Sequence, residues 1–349
     1  MQINISKKSV GILVAVFLAL GLFTTIIGVF QPDEKEDTEE VTKKDGKSHF
    51  RQRDKDREEG VDEDSIDAEK GYNVAKPLEN DPYEELASLI GLESVKEEVR
   101  TLANFAKVQK MRADKGLKNP NMSYHLVFTG SPGTGKTTVA RIVARIYKDL
   151  GILKKGHLVE TDRSGMIGQY VGQTAPKVNA MCDSALNGVL FIDEAYALTQ
   201  KSGGQDYGDE AVATLLKRME DDRDKLVVIV AGYTDEMKHF INTNPGLQSR
   251  FNRYINFPDY TSEELYKIFR MYMNKNEYTI TKEAATFLQR RLEYEVEHKD
   301  RNFGNARYVR NVFEKAIQCQ ANRISKERNL TEEELTEITL ADIKKAFGQ

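Results

Sequence analysis

Gly130-Ser131-Pro132-Gly133-Thr134-Gly135-Lys136-Thr137 matches G-x-x-x-x-G-K-[ST] at every fixed position. With Gly near ~7 % of residues, a random chain of this length matches about once in a hundred. The residue types suit one task, holding phosphate. Glycines let the backbone curl, so that several N–H groups converge on phosphate oxygens. A helix starting near Lys136 adds the positive end of its dipole. Lys136 carries a point charge to the β- and γ-phosphates of a nucleotide, and Thr137 offers a hydroxyl to Mg²⁺. Ser131, Pro132, Gly133, Thr134, Gly135 and Thr138 complete the expected cradle for ATP.

Fifty-six residues beyond Thr137, Val189-Leu190-Phe191-Ile192 leads into Asp193-Glu194. An acidic pair closing a buried apolar run needs a reason, since buried charge is costly. Beside a phosphate loop the reason is at hand. Asp193 is expected to hold Mg²⁺, and Glu194 to orient and polarise the attacking water.

These groups must be positioned by a sheet. His125 to Thr129 reads as a short strand before the loop, and Thr137 to Asp149 as the helix after it. His157 to Glu160, Gly188 to Ile192 and Leu226 to Ala231 read as further strands. Lys177 to Leu186 and Glu210 to Glu220 read as helices between them. The last two strands show no polar alternation, which predicts burial on both faces. Alternating β and α predicts an α/β domain with a parallel sheet and helices on both faces. Upstream, Glu84 to Met111 has helical spacing interrupted at Gly91. After Pro258 only helices are expected: Ser262 to Lys275, Lys282 to Glu297, Asn305 to Lys326 and Leu340 to Phe347.

The N-terminal fifth differs. Val10 to Phe30 is a run of 21 residues without a charge. As a helix it would be ~31 Å long, close to the ~30 Å hydrocarbon core of a bilayer. It exceeds the apolar run of a signal peptide, and no A-x-A site follows it. The expected organisation is a short tail at 1–9, a single transmembrane helix at 10–30 and a charged disordered linker at 31–80. A nucleotide-binding domain at 81–258 and a helical lid at 259–349 complete it.

The chain has 349 residues and a net charge of −4. Its first 80 residues hold 12 basic and 17 acidic side chains, which leaves 39 and 38 for the remainder. That near-neutral body argues against a nucleic-acid partner. Cys182 and Cys319 stand alone, which excludes a disulfide framework and a Cys-rich zinc site.

With these residues in view, Asp81 to Gln349 resembles an AAA+ ATPase. It is similar to the group holding the stage V sporulation protein K family and the red-type Rubisco activases, with type VII secretion ATPases more distant. The matching stretches are Leu89-Ile90-Gly91-Leu92, the phosphate loop, Gln169 to Lys177, Leu190 to Tyr196, Ala231-Gly232-Tyr233, Asn244 to Phe251 and Gly304-Asn305-Ala306-Arg307. The resemblance implies that Ile90 and Leu92 line the adenine pocket. It implies that Arg250 is an arginine finger for the neighbouring subunit's γ-phosphate, with Arg253 its rival. Arg307 would be sensor 2, touching phosphates in cis from the lid. Sensor 1 departs from the wider pattern, and Tyr233 and Thr234 are its two candidates. Tyr170, between Gly168 and Gly172, would face a central pore and grip a protein chain, with a second loop at 200–208 beside it.

The function expected is a membrane-anchored ATP hydrolase, a homo-hexameric ring that remodels or threads a protein partner. The charges flanking the span do not decide its orientation. The need for ATP does, and it puts the body in the cytoplasm. A nucleotide-dependent scaffold with slow turnover and a DNA-acting motor are the alternatives. Glu194 speaks against the first and the neutral body against the second.

Overall fold

The computed structural model describes residues 65–67, 72–75, 80–120, 123–200 and 207–349. The expected tail, the span at 10–30 and most of the 31–80 linker lie outside the described residues. Among the described residues, no helix is long and apolar enough to cross a membrane.

Val-, Ile- and Leu-rich runs make the sheet. Its strands are β1 Ser65–Asp67, β2 Tyr72–Ala75, β3 Leu126–Gly130, β4 Leu158–Thr161, β5 Gly188–Ile192, β6 Leu226–Gly232 and β7 Tyr254–Phe257. The order across the sheet is β1-β2-β4-β5-β6-β3-β7. From β4 to β7 all neighbours run parallel. Every residue of β3, β5 and β6 is buried, as strands covered on both faces require. Successive side chains point to opposite faces, so each strand feeds two cores. Phe128, Phe191, Ile229 and Ala231 join one, while Val127, Leu190, Ile192 and Val230 join the other.

The first core also contains the lid. Leu265, Phe269, Leu288, Val309 and Phe313 belong to the same cluster as Phe128 and Val139. Phe128 stacks at a tilt on Phe257 with centroids 5.0 Å apart. Phe269 meets Phe313 edge-on at 5.6 Å. Helices Ser262–Lys275 and Lys282–Glu297 form as expected, and Asn305–Ile324 and Leu340–Ala346 end slightly earlier than the periodicity predicts.

Several expectations need correction. The strands do not stop at Pro258. Within the lid β8 Thr279–Ile280 pairs in parallel with β9 Glu337–Ile338. Two residues are too few to carry a period. The 31–80 segment is not wholly unstructured, since β1 and β2 lie in it. They pair antiparallel with each other, and β2 pairs antiparallel with β4. Tyr72 and Val74 pack on the second core. The edge of β4 supplies ladder partners that the segment's composition does not announce. Strand β7 and the helices Thr234–Asn242 and Pro245–Arg250 go unannounced too. The helix expected from Lys177 starts at Thr174 instead, because Pro176 fits its first turn, where no N–H is needed.

Upstream, helices Pro82–Ser88 and Glu93–Asp114 flank the break at Gly91. Arg145, buried on the helix Lys136–Asp149, holds the first of them. Its guanidinium donates to Asn80 and to the Glu85 carboxylate. This charge-assisted clamp ties the upstream helix to the helix that follows the phosphate loop.

Because Phe128 is fully buried in the core that sheet and lid share, Phe128→Ala should destabilise the folded protein by about 3–5 kcal/mol. Urea denaturation followed by far-UV circular dichroism measures this; a midpoint unchanged from the native protein would contradict it.

Candidate functional site

The phosphate loop leaves β3 at Gly130 and enters a helix at Lys136. Gly135 caps that helix with φ 92° and no side-chain hydrogen bond. The first-turn N–H groups therefore remain available to an anion. Fully buried Thr134 donates its hydroxyl to the Ser131 carbonyl at 2.8 Å, which fixes the curl. Lys136 Nζ donates to the carbonyls of Gly130 and Ser131 at 2.9 and 2.8 Å. Burial lowers the Lys136 pKa from its ordinary value, while Asp193 and Glu194 pull the other way.

Strand β6 separates β3 from β5, so the acids that follow β5 stand one strand away from the loop. The Asp193 N–H donates to the Thr161 carbonyl at 2.8 Å. Glu194 adopts φ 47°, ψ 43°, a left-handed conformation that is uncommon outside glycine and clusters at working sites. Its N–H donates to Asp193 Oδ1 at 3.1 Å. Tyr196 hydrogen-bonds to Glu194, and burial together with the Glu194 charge pushes its pKa up to about 12. The hydroxyl thus stays a donor, holding the carboxylate.

A cleft of about 860 Å³ opens above these groups. Ile90, Leu92, Pro132, Gly133, Gly135, Lys136, Thr137, Thr138, Asp193, Glu194 and Arg307 all line it. Ser131 and Thr134 brace it from behind through the contacts given above. Thr137 and Asp193 present oxygen donors, the ligand type that Mg²⁺ takes. Of the two sensor 1 candidates, Tyr233 lines the cleft and Thr234 begins the next helix.

Arg250 is not in this cleft. Its Nη2 pairs with Glu220 at 3.1 Å, and its Nη1 donates to the Gly246 carbonyl at 3.3 Å. Arg253 lies over the Phe105 ring at 4.9 Å. Tyr170 and Val171 are 69 % and 75 % exposed, so the loop tip presents a rare pair of open apolar side chains. Most of the second loop, 201–206, lies outside the described residues.

Sequence reasoning missed several neighbours. Tyr272, Met271 and Ile268 reach the cleft from the lid, and Glu85 reaches it from below. Tyr260 approaches the Thr134 carbonyl with its hydroxyl at 3.5 Å. Asp259 and Asn305 join the lid to the loop. Helical spacing marks Ile268 and Tyr272 as apolar-face residues but does not say which cavity that face meets.

Comparison with known proteins agrees with this geometry. Residues 126–259 match the model of the ATPase family associated with various cellular activities (AAA), and residues 261–349 match an AAA lid domain. The chain is 46 % identical over 264 residues to the chloroplastic ribulose bisphosphate carboxylase/oxygenase activase of Cyanidioschyzon merolae, covering 74 % of this chain and 88 % of that one. It is 40 % identical over 260 residues to stage V sporulation protein K of Bacillus subtilis, covering 73 % and 78 %. The crystal structure of the FIGL-1 AAA domain in complex with ADP shares the fold, with TM-score 0.52 and 20 % identity over 74 % of this chain and 82 % of that one.

Replacing Lys136 by alanine removes the charge that meets phosphate. The dissociation constant for ATP should rise about 10- to 100-fold, the worth of one or two charge-assisted hydrogen bonds. Titration with a fluorescent ATP analogue reads it directly, and a change below about twofold would refute the assignment.

Proposed function

The chain belongs to the AAA family of ATPases, and we propose that it is a membrane-tethered ring that hydrolyses ATP to remodel a protein partner. ATP hydrolysis itself follows from the family. In the proposed cycle Lys136 and the loop N–H groups hold the β- and γ-phosphates. Thr137 and Asp193 would hold Mg²⁺, which would supply charge neutralisation for the phosphates. Glu194, restrained by Tyr196, orients water for attack on the γ-phosphorus. Arg307 senses the phosphates from the lid. Tyr233 is the better placed sensor 1.

The observation that carries the remodelling role is the connection between Glu194 and the Tyr170 loop. The turn after Glu194 is the 3₁₀ helix Ala195–Thr199. Its Ala197 and Leu198 carbonyls accept from Arg163, in the short helix that precedes the loop. Lys177 bonds the far side, donating to the carbonyls of Ser164 and Ile167 at 2.6 and 3.2 Å. A shift at the acids is thereby handed to an exposed Tyr170–Val171 tip. Aromatic packing there grips an extended chain without regard to sequence.

The ring accounts for Arg250. An always-charged planar fork suits phosphate recognition, yet Glu220 holds it outside its own cleft. Acting in trans gives it a role. The uncharged run at 10–30 would then anchor the ring in the membrane, with the body in the cytoplasm where ATP is supplied and 31–64 as tether. The protein substrate would be a chain presented near that membrane.

Glu194→Gln should keep ATP binding and slow turnover by about 10²- to 10⁴-fold. Cross-linking this variant in membranes should capture the substrate in its ATP-bound state; native turnover in the variant would remove Glu194 from the chemistry. Arg250→Ala should lower kcat by about 10³-fold. Mixing Arg250→Ala with Lys136→Ala subunits should restore part of the rate, because each supplies what the other lacks. Failure of mixtures to recover any activity would rule out the finger in trans.

A further inference from the structure

We propose that Asn305 is a positioning residue, a latch that holds Arg307 of the lid to the phosphate loop, with Asp259 as its anchor. The inference rests on the nucleotide-sensing role of Arg307 and names what places that arginine.

Asn305 opens the helix Asn305–Ile324, two positions before Arg307. It is fully buried and left-handed, at φ 47°. A buried amide must find partners for its donors and its acceptor, and this one does. Its two Nδ2 hydrogens are shared among Asp259 Oδ1 at 2.9 Å, the Phe303 carbonyl at 3.1 Å and the Pro132 carbonyl at 3.3 Å. Its Oδ1 accepts from the Tyr260 N–H at 3.0 Å. One side chain thus touches the phosphate loop, the strand-to-lid connection and the lid.

Neighbouring bonds close the joint. The Ala306 N–H donates to the Gly133 carbonyl at 3.1 Å. A Cβ on Gly133 would fall 2.1 Å from the Gly304 carbonyl oxygen, so loop and lid meet backbone to backbone. Asp259 accepts from Lys299 at 2.6 Å and from the Ser131 hydroxyl. Ser131 is itself the residue whose carbonyl holds Lys136. Movement of the first lid turn relative to the loop must therefore break several hydrogen bonds that share the buried Asn305 amide. The latch makes lid angle and phosphate-loop geometry one variable, and Arg307 rides on it.

The test is Asn305→Gly in the full chain. Glycine keeps the left-handed backbone without strain and removes only the amide; alanine would confound the two. The KM for ATP should rise about tenfold while kcat changes less than twofold, a coupling of the usual size between two sites. The same substitution in an Arg307→Ala background should then have no further effect on KM. Equal KM effects in both backgrounds, or none in either, would overturn the latch while leaving the sensing role of Arg307 intact. An Arg307→Ala protein with native KM would overturn that sensing role and the latch together. Lys299→Ala, which frees one arm of Asp259 and leaves Asn305 and the phosphate loop in place, should repeat the pattern in smaller measure. If Asn305→Gly does not fold, the Lys299→Ala cycle decides by the same criterion.

Discussion

The Lys136 ammonium is withdrawn from water and held by two carbonyl oxygens of its own loop. Carbonyl dipoles share a cation's charge but do not cancel it. Burial moves the amine toward release of its proton, while Asp193 and Glu194 draw it back. The phosphates of a bound nucleotide answer the unbalanced charge on the cation's side. The architecture around the cleft keeps these three charges close without letting the two acids quench the lysine directly. Strand β6 does this by standing between β3 and β5.

That spacing has a cost in backbone strain. Glu194 turns left-handed at once after β5, and Leu92 does the same where the upstream helix begins. Neither position has glycine's freedom, so tertiary packing must impose the conformation. At Glu194 the Asp193 carboxylate caps its N–H and Tyr196 restrains its side chain. At Leu92 burial within the first core supplies the force. The same core continues into the lid helices, so the elements framing the cleft share one buried cluster.

What the sequence discloses follows from how local each cause is. The phosphate loop is contiguous, and its chemistry needs only neighbours in the chain. The acids after Ile192 are legible because a buried apolar run cannot end in two charges without purpose. Strands β5 and β6 are legible because both faces are covered. Other features depend on distant partners. Strand β7, with Tyr254 exposed and Ile255 buried, is short and defined by pairing to β3. The β1–β2 pair exists because β4 offers an edge. Asn305 reads as an ordinary polar residue at the start of a helix until Asp259, Pro132 and Tyr260 come to meet it. Arg250 and Arg307 are another case: the family resemblance already implies one in trans and one in cis, and the fold puts Arg307 at the cleft and Arg250 outside it.

That separation bears on how the proposed ring would work. The turn that carries Arg307 is bonded to the phosphate loop of the same chain, so in the proposed reading its message concerns the nucleotide that this chain holds. Arg250 is held at the protein surface by Glu220, an ion pair of the partly exposed kind that contributes little net stability. A weak surface pair is easily exchanged for a stronger partner, and a phosphate anion is one. In the proposed ring the arginine would be stored for a neighbour rather than used at its own cleft. A neighbour that took up this arginine would turn independent hydrolysis events in that ring into an ordered sequence. Ordered hydrolysis would let the exposed Tyr170–Val171 tip do directional work on a bound chain.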